Sequence, residues 1–302
     1  MTKNTTPVHA LRDPRDAYPR PPFPNQPQEA PGYTQKMEPV PDHGEESYAG
    51  SGRLRGRKAL ITGGDSGIGR AVAIAYVREG AAVCINYLET EKEDAESLEA
   101  LIEGEGGTIH LMPGDLSEQA FAEALVAKAA DAMGGLDVMV INAGKQVTQP
   151  TIQDISADQF DRTMKTNVYA MFWMTRAALR LMPPGSSIIT VTSNQGFSPA
   201  PTLIDYATTK FAIRGFTEAM GQAALEQQGV RVNGIAPGPF WTPLQPSGGQ
   251  TQEKVQSFGE GTPMGRPGQP AELQGAFVFL ASEESSYVSG EIIGVTGGKP
   301  IS

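Results

Sequence analysis

The sequence predicts an α/β fold: a doubly wound, parallel, seven-stranded sheet with helices on both faces, in one domain that carries an extended N-terminal arm. Three observations predict it. From residue 59 onward, short apolar runs alternate with longer stretches of helical periodicity. A glycine-rich turn joins the first run to the first helical stretch. Proline is crowded into the residues ahead of both. Strands separated by helices return to the sheet by crossovers, which makes them parallel and covers both faces. A chain of 302 residues admits one large domain or two ordinary ones at about 100–200 residues each. The alternation fills residues 53–302 without an internal repeat, which reads as one domain.

Residues 1–52 form the arm. They hold ten of the 24 prolines, seven of them from Pro14 to Pro31. Proline fixes φ and removes a backbone donor, so regular helix or sheet is disfavoured there. Two readings stay open. One is a disordered tail. The other is an extended arm docked on its own domain or on a neighbouring subunit, with Tyr18, Phe23, Tyr33 and Tyr48 as anchors that a solvating tail does not need. Arg53, Arg55, Arg57 and Lys58 follow as a basic cluster. It precedes the first strand, whereas ligands of open parallel sheets bind at the strands' carboxyl ends, so it reads as a solvated entry segment.

The first strand, 59–62, runs into Thr62-Gly63-Gly64-Asp65-Ser66-Gly67-Ile68-Gly69 and the first helix, 67–79. Gly63, Gly67 and Gly69 let the backbone turn tightly and approach a pyrophosphate, and the helix start offers N–H groups and a positive dipole end. The spacing G-x3-G-x-G differs from the commoner G-x-G-x-x-G, and no Lys-Ser/Thr follows, which excludes a P-loop. The second strand, 82–86, places Cys84 in the core and ends at Asn86-Tyr87-Leu88, before a helix over 91–104. The third strand, 108–112, precedes Asp115-Leu116 and a helix over 117–133. The fourth strand, 137–142, ends at Asn142-Ala143-Gly144. The fourth helix, 156–182, opens on the capping box of Ser156 and Gln159 and contains Asn167. The fifth strand, 187–192, delivers Ser193, and the fifth helix, 203–228, carries Tyr206 and Lys210. After the sixth strand, 230–236, come Pro237-Gly238, Thr242 and a glycine- and proline-rich segment that runs from 238 to 270. A connection of that length in a compact domain is more often functional than not. A helix over 270–282 and a strand over 292–295 complete the alternation.

Tyr206 and Lys210 stand four apart in a helix, so their side chains share a face. Ser193 lies at the carboxyl end of its strand, the edge where a cofactor binds. Thr192 is the alternative hydroxyl, but neighbouring strand side chains point to opposite faces, which favours Ser193.

With these residues in place the chain resembles the short-chain dehydrogenase/reductase family, classical type, over residues 56–298. That family carries T-G-x-x-x-G-I-G at the first turn, N-A-G after its fourth strand, an Asp after its third, and Pro-Gly followed by Thr after its sixth. Ile141 stands where the family usually has an Asn before the N-A-G triplet. The resemblance implies a Rossmann-type fold and a catalytic tetrad of Asn167, Ser193, Tyr206 and Lys210. It implies cofactor contacts from Gly63, Asp65, Ser66, Gly67, Ile68 and Gly69 in the turn. Asn86, Tyr87, Leu88, Asp115, Leu116, Asn142, Ala143, Gly144, Tyr206, Lys210, Pro237, Gly238 and Thr242 complete that set. Bacterial aldehyde reductases and glucose dehydrogenase-like stress proteins are the arm-bearing members it resembles.

The implied activity is carbonyl–alcohol interconversion by hydride transfer to or from NAD(P)(H). Tyr206 supplies the proton, Ser193 holds the substrate oxygen, Lys210 binds the nicotinamide ribose, and Asn167 holds a water that relays protons from Lys210. A free tyrosine has a pKa near 10. The Lys210 ammonium and an oxidised nicotinamide ring are expected to favour the phenolate, which takes about 4 kcal/mol to bring to neutrality. No Asp or Glu follows the second strand until Glu89, so NADP(H) is favoured, with NAD(H) or dual use open. Ser193, Gln195, Tyr206 and Phe240 are the expected substrate residues, joined at the pocket by Gln146 and Phe197. In the family, residues 238–270 form a mobile lid, here carrying Trp241, Leu244, Phe258 and Met264. The substrate is a small aldehyde, ketone, polyol or sugar. A non-catalytic nucleotide sensor on the same fold is the competing reading; loss of a tetrad residue is its signature, and none is lost.

Charge and composition exclude other classes. The formal charge of −10 opposes nucleic-acid binding, which needs a cationic surface. No apolar run reaches the ~18 residues of a membrane span, and the first residues lack the apolar stretch of a secretory signal. One cysteine permits no internal disulfide and no cysteine zinc cluster, and His9, His43 and His110 lack ligand-like spacing, so no metal is expected. A cytoplasmic protein follows. The fourth helix carries Met164, Val168, Met171, Phe172, Met174, Leu179 and Met182, and the fifth Phe211, Ile213, Phe216 and Met220. These stripes are wider than one sheet-facing side needs, which predicts a homo-oligomer. The expected assembly is a tetramer, and the resemblance points the same way, since these two helices commonly build the family's main dimer interface.

Overall fold

The computed structural model describes residues 11–301. The residues before Leu11, including His9 and the N-terminal stretch assessed for a secretory signal, lie outside the described residues, as does Ser302. Seven parallel strands, β1 Lys58–Thr62, β2 Ala82–Tyr87, β3 Ile109–Pro113, β4 Val138–Ile141, β5 Ser187–Val191, β6 Arg231–Pro237 and β7 Ile292–Val295, form one sheet in the order β3-β2-β1-β4-β5-β6-β7. The order reverses between β1 and β4, where a crevice opens at the carboxyl ends. The five inner strands are buried almost throughout because both faces are covered, whereas the edge strands β3 and β7 are only partly buried. On one face α1 Gly67–Arg78 and α2 Lys92–Gly104 pack with Leu60's neighbours Ala59 and Ile61 in a core that reaches Phe277. On the other, α3 Gln119–Met133 and the methionines Met171 and Met174 pack on Leu60, Met139 and Ile188. Cys84 belongs to that core, and burial pushes its thiol up to about 12.

The fourth helix departs from the sequence expectation. It is two α-helices, α4 Ala157–Met164 and α5 Ala170–Ala178, joined by a π-helical turn over Lys165–Tyr169. The π turn inserts one residue into the α-helical ladder, and Asn167 sits in it, buried. The Ser156 hydroxyl caps α4 by accepting from the Gln159 N–H at 3.0 Å. The remaining helices are α6 Ile204–Gln228, the short α7 Gln252–Gln256, and α8 Gln274–Ala281, entered through a 3-10 turn at Pro270–Leu273.

The arm is docked on its own chain. The Phe23 ring lies 4.3 Å from that of Trp241, in a small apolar cluster with Met37, Val255 and Phe258. Tyr18 donates to Asp42 Oδ2 at 2.7 Å, and Tyr33 to the Thr90 carbonyl at 3.0 Å. Trp241 Nε1 donates to the Pro39 carbonyl at 2.8 Å. The docked reading of the arm therefore holds over the disordered one for residues 11–52. The basic cluster also differs from a solvated segment. Arg53 reaches the fully buried Glu79 carboxylate at 2.7 Å, and Arg57 pairs with Glu283. Burial alone would push the Glu79 carboxyl up. Hydrogen bonds from the Arg53 guanidinium, the Tyr48 hydroxyl and the N–H groups of Arg53 and Ser51 outweigh it and hold the carboxyl at about 2. Only Arg55 of the four is fully solvated. Among the described residues, no helix is long and apolar enough to cross a membrane.

Candidate active site

A continuous cleft of about 1230 Å³ runs along the carboxyl ends of the strands. Its floor starts at the turn after β1. Gly63 and Gly67 adopt positive φ values, +58° and +48°, open to glycine at little cost. A Cβ at Gly69 would sit 1.8 Å from the Gly63 carbonyl oxygen, so the third residue of the helix must lack one. Asn142 locks this turn to the end of β4: its Nδ2 donates to the carbonyls of Thr62 and Gly63, both at 3.0 Å. Thr62 Oγ1 accepts in turn from the N–H groups of Asn142 and Ala143, at 3.0 and 3.1 Å. The first-turn N–H groups of α1 have no acceptor within the helix, and the Ser66 side chain makes no capping bond to them.

At the β2 end of the cleft the structure adds an unforeseen feature. Asn86 is buried, and its Nδ2 donates to the carbonyls of Met112 and Gly114 at 3.0 and 3.1 Å. Its amide hydrogens are thus spent on backbone, so Asn86 has no side-chain donor left for the cofactor contact expected of it. Asp65 is buried beside it with Oδ2 left without a partner. Burial and the nearby Asp94 raise the Asp65 pKa well above the carboxylate range, and burial and Asp65 do the same for Glu91. Tyr87, Leu88, Asp115 and Leu116 line the same end. Asp115 Oδ1 accepts from the Ser117 N–H at 2.8 Å, which fixes the turn after β3. Gly144, Pro237, Gly238 and Thr242 also line the cleft, whereas Gly69 does not, and Thr242 Cγ2 is 3.1 Å from where a Gly67 Cβ would lie. Ile68 lines the cleft too, one residue into α1. The glycine cradle and the orphaned polar atom suit an extended, polyhydroxylated dinucleotide.

Three of the four tetrad residues, Ser193, Tyr206 and Lys210, line the cleft, and Asn167 is buried behind its lining. Tyr206 and Lys210 occupy one face of α6, with Lys210 Nζ 5.2 Å from the Tyr206 ring centroid. Lys210 Nζ donates to the Val191 carbonyl at 2.8 Å, and Thr192 Oγ1 donates to the Lys210 carbonyl at 2.7 Å. Thr192 is thereby committed to the helix backbone, as the alternation argument requires. The Ser193 hydroxyl lines the cleft, accepts from the Gln195 N–H at 3.1 Å and donates to Asn194 Oδ1 at 3.1 Å. Asn167 Oδ1 accepts from the Lys145 N–H at 2.7 Å, and its Nδ2 donates to the Lys145 carbonyl at 2.9 Å and to Thr209 Oγ1 at 3.0 Å. A Cβ on Gly144 would lie 3.7 Å from both Asn167 Oδ1 and Lys210 Nζ, so these two groups face one another across that glycine.

Burial dominates the protonation of this pair. It pushes the Tyr206 phenol up to about 12, with the Ser193 hydroxyl acting in the opposite sense, and the Lys210 amine down to about 7. The expectation of a favoured phenolate joined an oxidised nicotinamide ring to Lys210; in the protein alone, burial sets both groups.

Of the expected substrate residues, Gln195 and Phe240 line the cleft, as does Gln146. Gln195 Oε1 accepts from the Ala200 N–H at 2.7 Å, and Gln146 Nε2 donates to the Gly249 carbonyl at 2.6 Å. Phe197 lies elsewhere: its ring stacks 4.2 Å from the Arg214 guanidinium. Trp241 faces the arm. The sequence reading missed Glu91, whose acidity is hidden in a helix start, and Ala30 and Pro31, arm residues that line the cleft.

Residues 63–299 match a family model described as enoyl-(acyl carrier protein) reductase. The chain is 54% identical over 289 residues to the uncharacterized oxidoreductase YghA of Escherichia coli (strain K12), covering 96% of this chain and 98% of that protein. It is 40% identical over 274 residues to NADPH-dependent aldehyde reductase 1, chloroplastic, of Arabidopsis thaliana, covering 89% and 94%. A solved short chain dehydrogenase from Burkholderia cenocepacia J2315, in complex with NADP, aligns with a TM-score of 0.75 at 29% identity, over 82% of this chain and 98% of that one.

Proposed function

This chain belongs to the short-chain dehydrogenase/reductase family and is an oxidoreductase, and from that premise we propose that it interconverts a small aldehyde or ketone and the corresponding alcohol, with Tyr206 as the acid/base. The observation that carries the reading is the Tyr206–Lys210 pair beside Ser193 in the cleft that starts on the glycine cradle. A bound nicotinamide dinucleotide supplies or accepts the hydride. The turn Gly63–Gly69, Asp115, Leu116, Asn142–Gly144, Pro237, Gly238 and Thr242 would hold it. Ser193 Oγ holds the substrate oxygen near the phenol. Tyr206 Oη gives that oxygen a proton during reduction, the role its buried, protonated state suits. Lys210 Nζ reprotonates Tyr206, and Asn167, fixed by the π turn, keeps the Lys145 backbone and the proton route beside Lys210 in place. Gln195 and Phe240 give the substrate end amide and apolar surface. With NADPH as reductant, a panel of short aldehydes should be turned over; a protein that binds NADPH and reduces none of them returns the reading to a nucleotide sensor.

NADP(H) is the proposed cofactor, supported by the absence of an acid in Asn86-Tyr87-Leu88 and by the relatives named for NADPH and NADP. Asp65 and Glu91 qualify it, because ionised carboxylates repel a 2′-phosphate. Their raised pKa values keep them protonated on the acid side of neutrality. The ratio of NADPH to NADH affinity should therefore fall as pH rises through neutrality. Dissociation constants for both dinucleotides across that range check it, and a ratio that stays flat or rises overturns it.

Homo-oligomerisation, as a tetramer, is proposed from the apolar faces that α5, α6 and the π turn leave open: Tyr169, Phe172, Phe211 and Leu225 remain between 43% and 47% exposed. The cytoplasm is the proposed location, in keeping with one free, buried cysteine.

A further inference from the structure

One wall of the cleft comes from the arm. Between two fixed points, Ala30 and Pro31 line the same cleft as the glycine turn. On the side of the 238–270 segment, the Gln28 N–H donates to the Pro246 carbonyl at 3.2 Å and Ser247 Oγ to the Pro31 carbonyl at 3.0 Å. Gly32, at φ +88°, passes so close that a Cβ there would meet Pro243 O and Ser247 Cβ, both at 3.0 Å. On the side of α2, the Tyr33 hydroxyl donates to the Thr90 carbonyl at 3.0 Å and the buried Thr34's N–H to Asp94 Oδ2 at 3.0 Å. The arm thus spans the cleft from the substrate segment to the turn after β2.

We propose that residues 28–34 are a clasp on the dinucleotide site, closing it between the substrate segment and the start of α2 and setting the rate at which the cofactor leaves. The inference rests on the reading of the cleft as a nicotinamide dinucleotide site. A ligand lying beneath a chain fixed at both ends leaves only after one end opens. Phe23 and Met37, buried on either side of the clasp, keep the arm in register, so the opening is local rather than a loss of the whole arm. Pro31 brings no N–H to the cleft and its carbonyl is taken by Ser247, so the wall excludes water without offering the ligand a competing donor. Such a device acts on the dissociation rate more than on encounter.

The test uses the full-length protein and two variants that leave the tetrad and glycine turn untouched. Gly32→Val places a β-branched side chain at positive φ against Pro243 and Ser247, which lifts the clasp from one side. The double variant Tyr33→Phe/Ser247→Ala deletes one hydroxyl on each side and adds no bulk. NADPH release, followed by stopped-flow fluorescence on displacement, should be at least about tenfold faster in Gly32→Val and about threefold faster in the double variant, with single-turnover hydride transfer changed by less than about twofold. Release unchanged in the double variant, and in Gly32→Val wherever that protein folds, overturns the clasp alone. A wild-type protein that binds neither NADPH nor NADH overturns the dinucleotide reading and the clasp with it.

Discussion

Tyr206→Phe should lower carbonyl reduction by about 10²–10⁴-fold, the usual worth of a positioned general acid, while NADPH binding changes by less than about tenfold. The substitution removes one oxygen and keeps the ring, so the packing of α6 and the contact with Lys210 persist. What disappears is the proton donor. Burial holds the phenol at about 12, fully protonated at neutral pH, which is the form reduction needs. Oxidation needs the phenolate, which the same burial opposes. Wild-type oxidative turnover should therefore rise with pH above neutrality, and in Tyr206→Phe that rise should vanish. Lys210, drawn down to about 7 by burial, is cationic only on the acid side of neutrality in the protein's own field. Its positive charge therefore aids the phenolate least at the pH where the phenolate is most needed. Steady-state rates in both directions, with fluorescence titration of NADPH, measure all of this. A variant that retains more than about a tenth of wild-type turnover would remove Tyr206 from the mechanism.

What was legible in the sequence follows the physics of short-range pattern. The seven strands and the turn at Gly63–Gly69 were readable because a two-residue or 3.6-residue period and a positive φ leave local marks. The Tyr206–Lys210 face was readable for the same reason. The π turn under Asn167 was not, because one inserted residue leaves the apolar stripe of a long helix nearly intact. Phe197 and Trp241 were sent to the substrate pocket by their place in the chain alone. Their partners, Arg214 and the arm, are set by tertiary packing. The arm shows the limit best. Tyr18, Phe23, Tyr33 and Tyr48 were recognisable as anchors, yet Phe23 meets Trp241 and Tyr48 meets Glu79 across long stretches of chain, a pairing no local pattern encodes. Protonation was the least legible. Residue types pointed to a cation and a cofactor ring acting on the tyrosine, whereas the opposing depth of burial is set by tertiary packing that no local pattern encodes.

Removal of residues 1–48 should lower the melting temperature by roughly 5–10 °C, the shift expected for a loss of a few kcal/mol in a domain of this size. The arm supplies Phe23 and Met37 to the cluster around Trp241, and full burial of each such side chain is worth about 1.5–3 kcal/mol. Ordering an extended chain opposes that gain, but the prolines enter with φ already fixed, which reduces the entropy lost on docking. Truncation also strips polar partners from groups that stay behind. Glu79 loses the Tyr48 hydroxyl, the buried Arg266 loses the Pro14 carbonyl, and the buried Arg70 loses Glu45. Buried charged groups left short of partners are destabilising. The tetrad lies on α6, the turn just after β5 and the π turn, none of which the arm builds. Single-turnover hydride transfer per folded subunit should therefore survive. Assembly should survive too, because the open faces at Phe172, Phe211 and Leu225 lie on α5 and α6. Calorimetry on the full-length and truncated proteins measures the first effect and light scattering the second. A full-length monomer refutes the oligomer. An arm that a protease clips away with no change in melting temperature refutes its part in holding the fold.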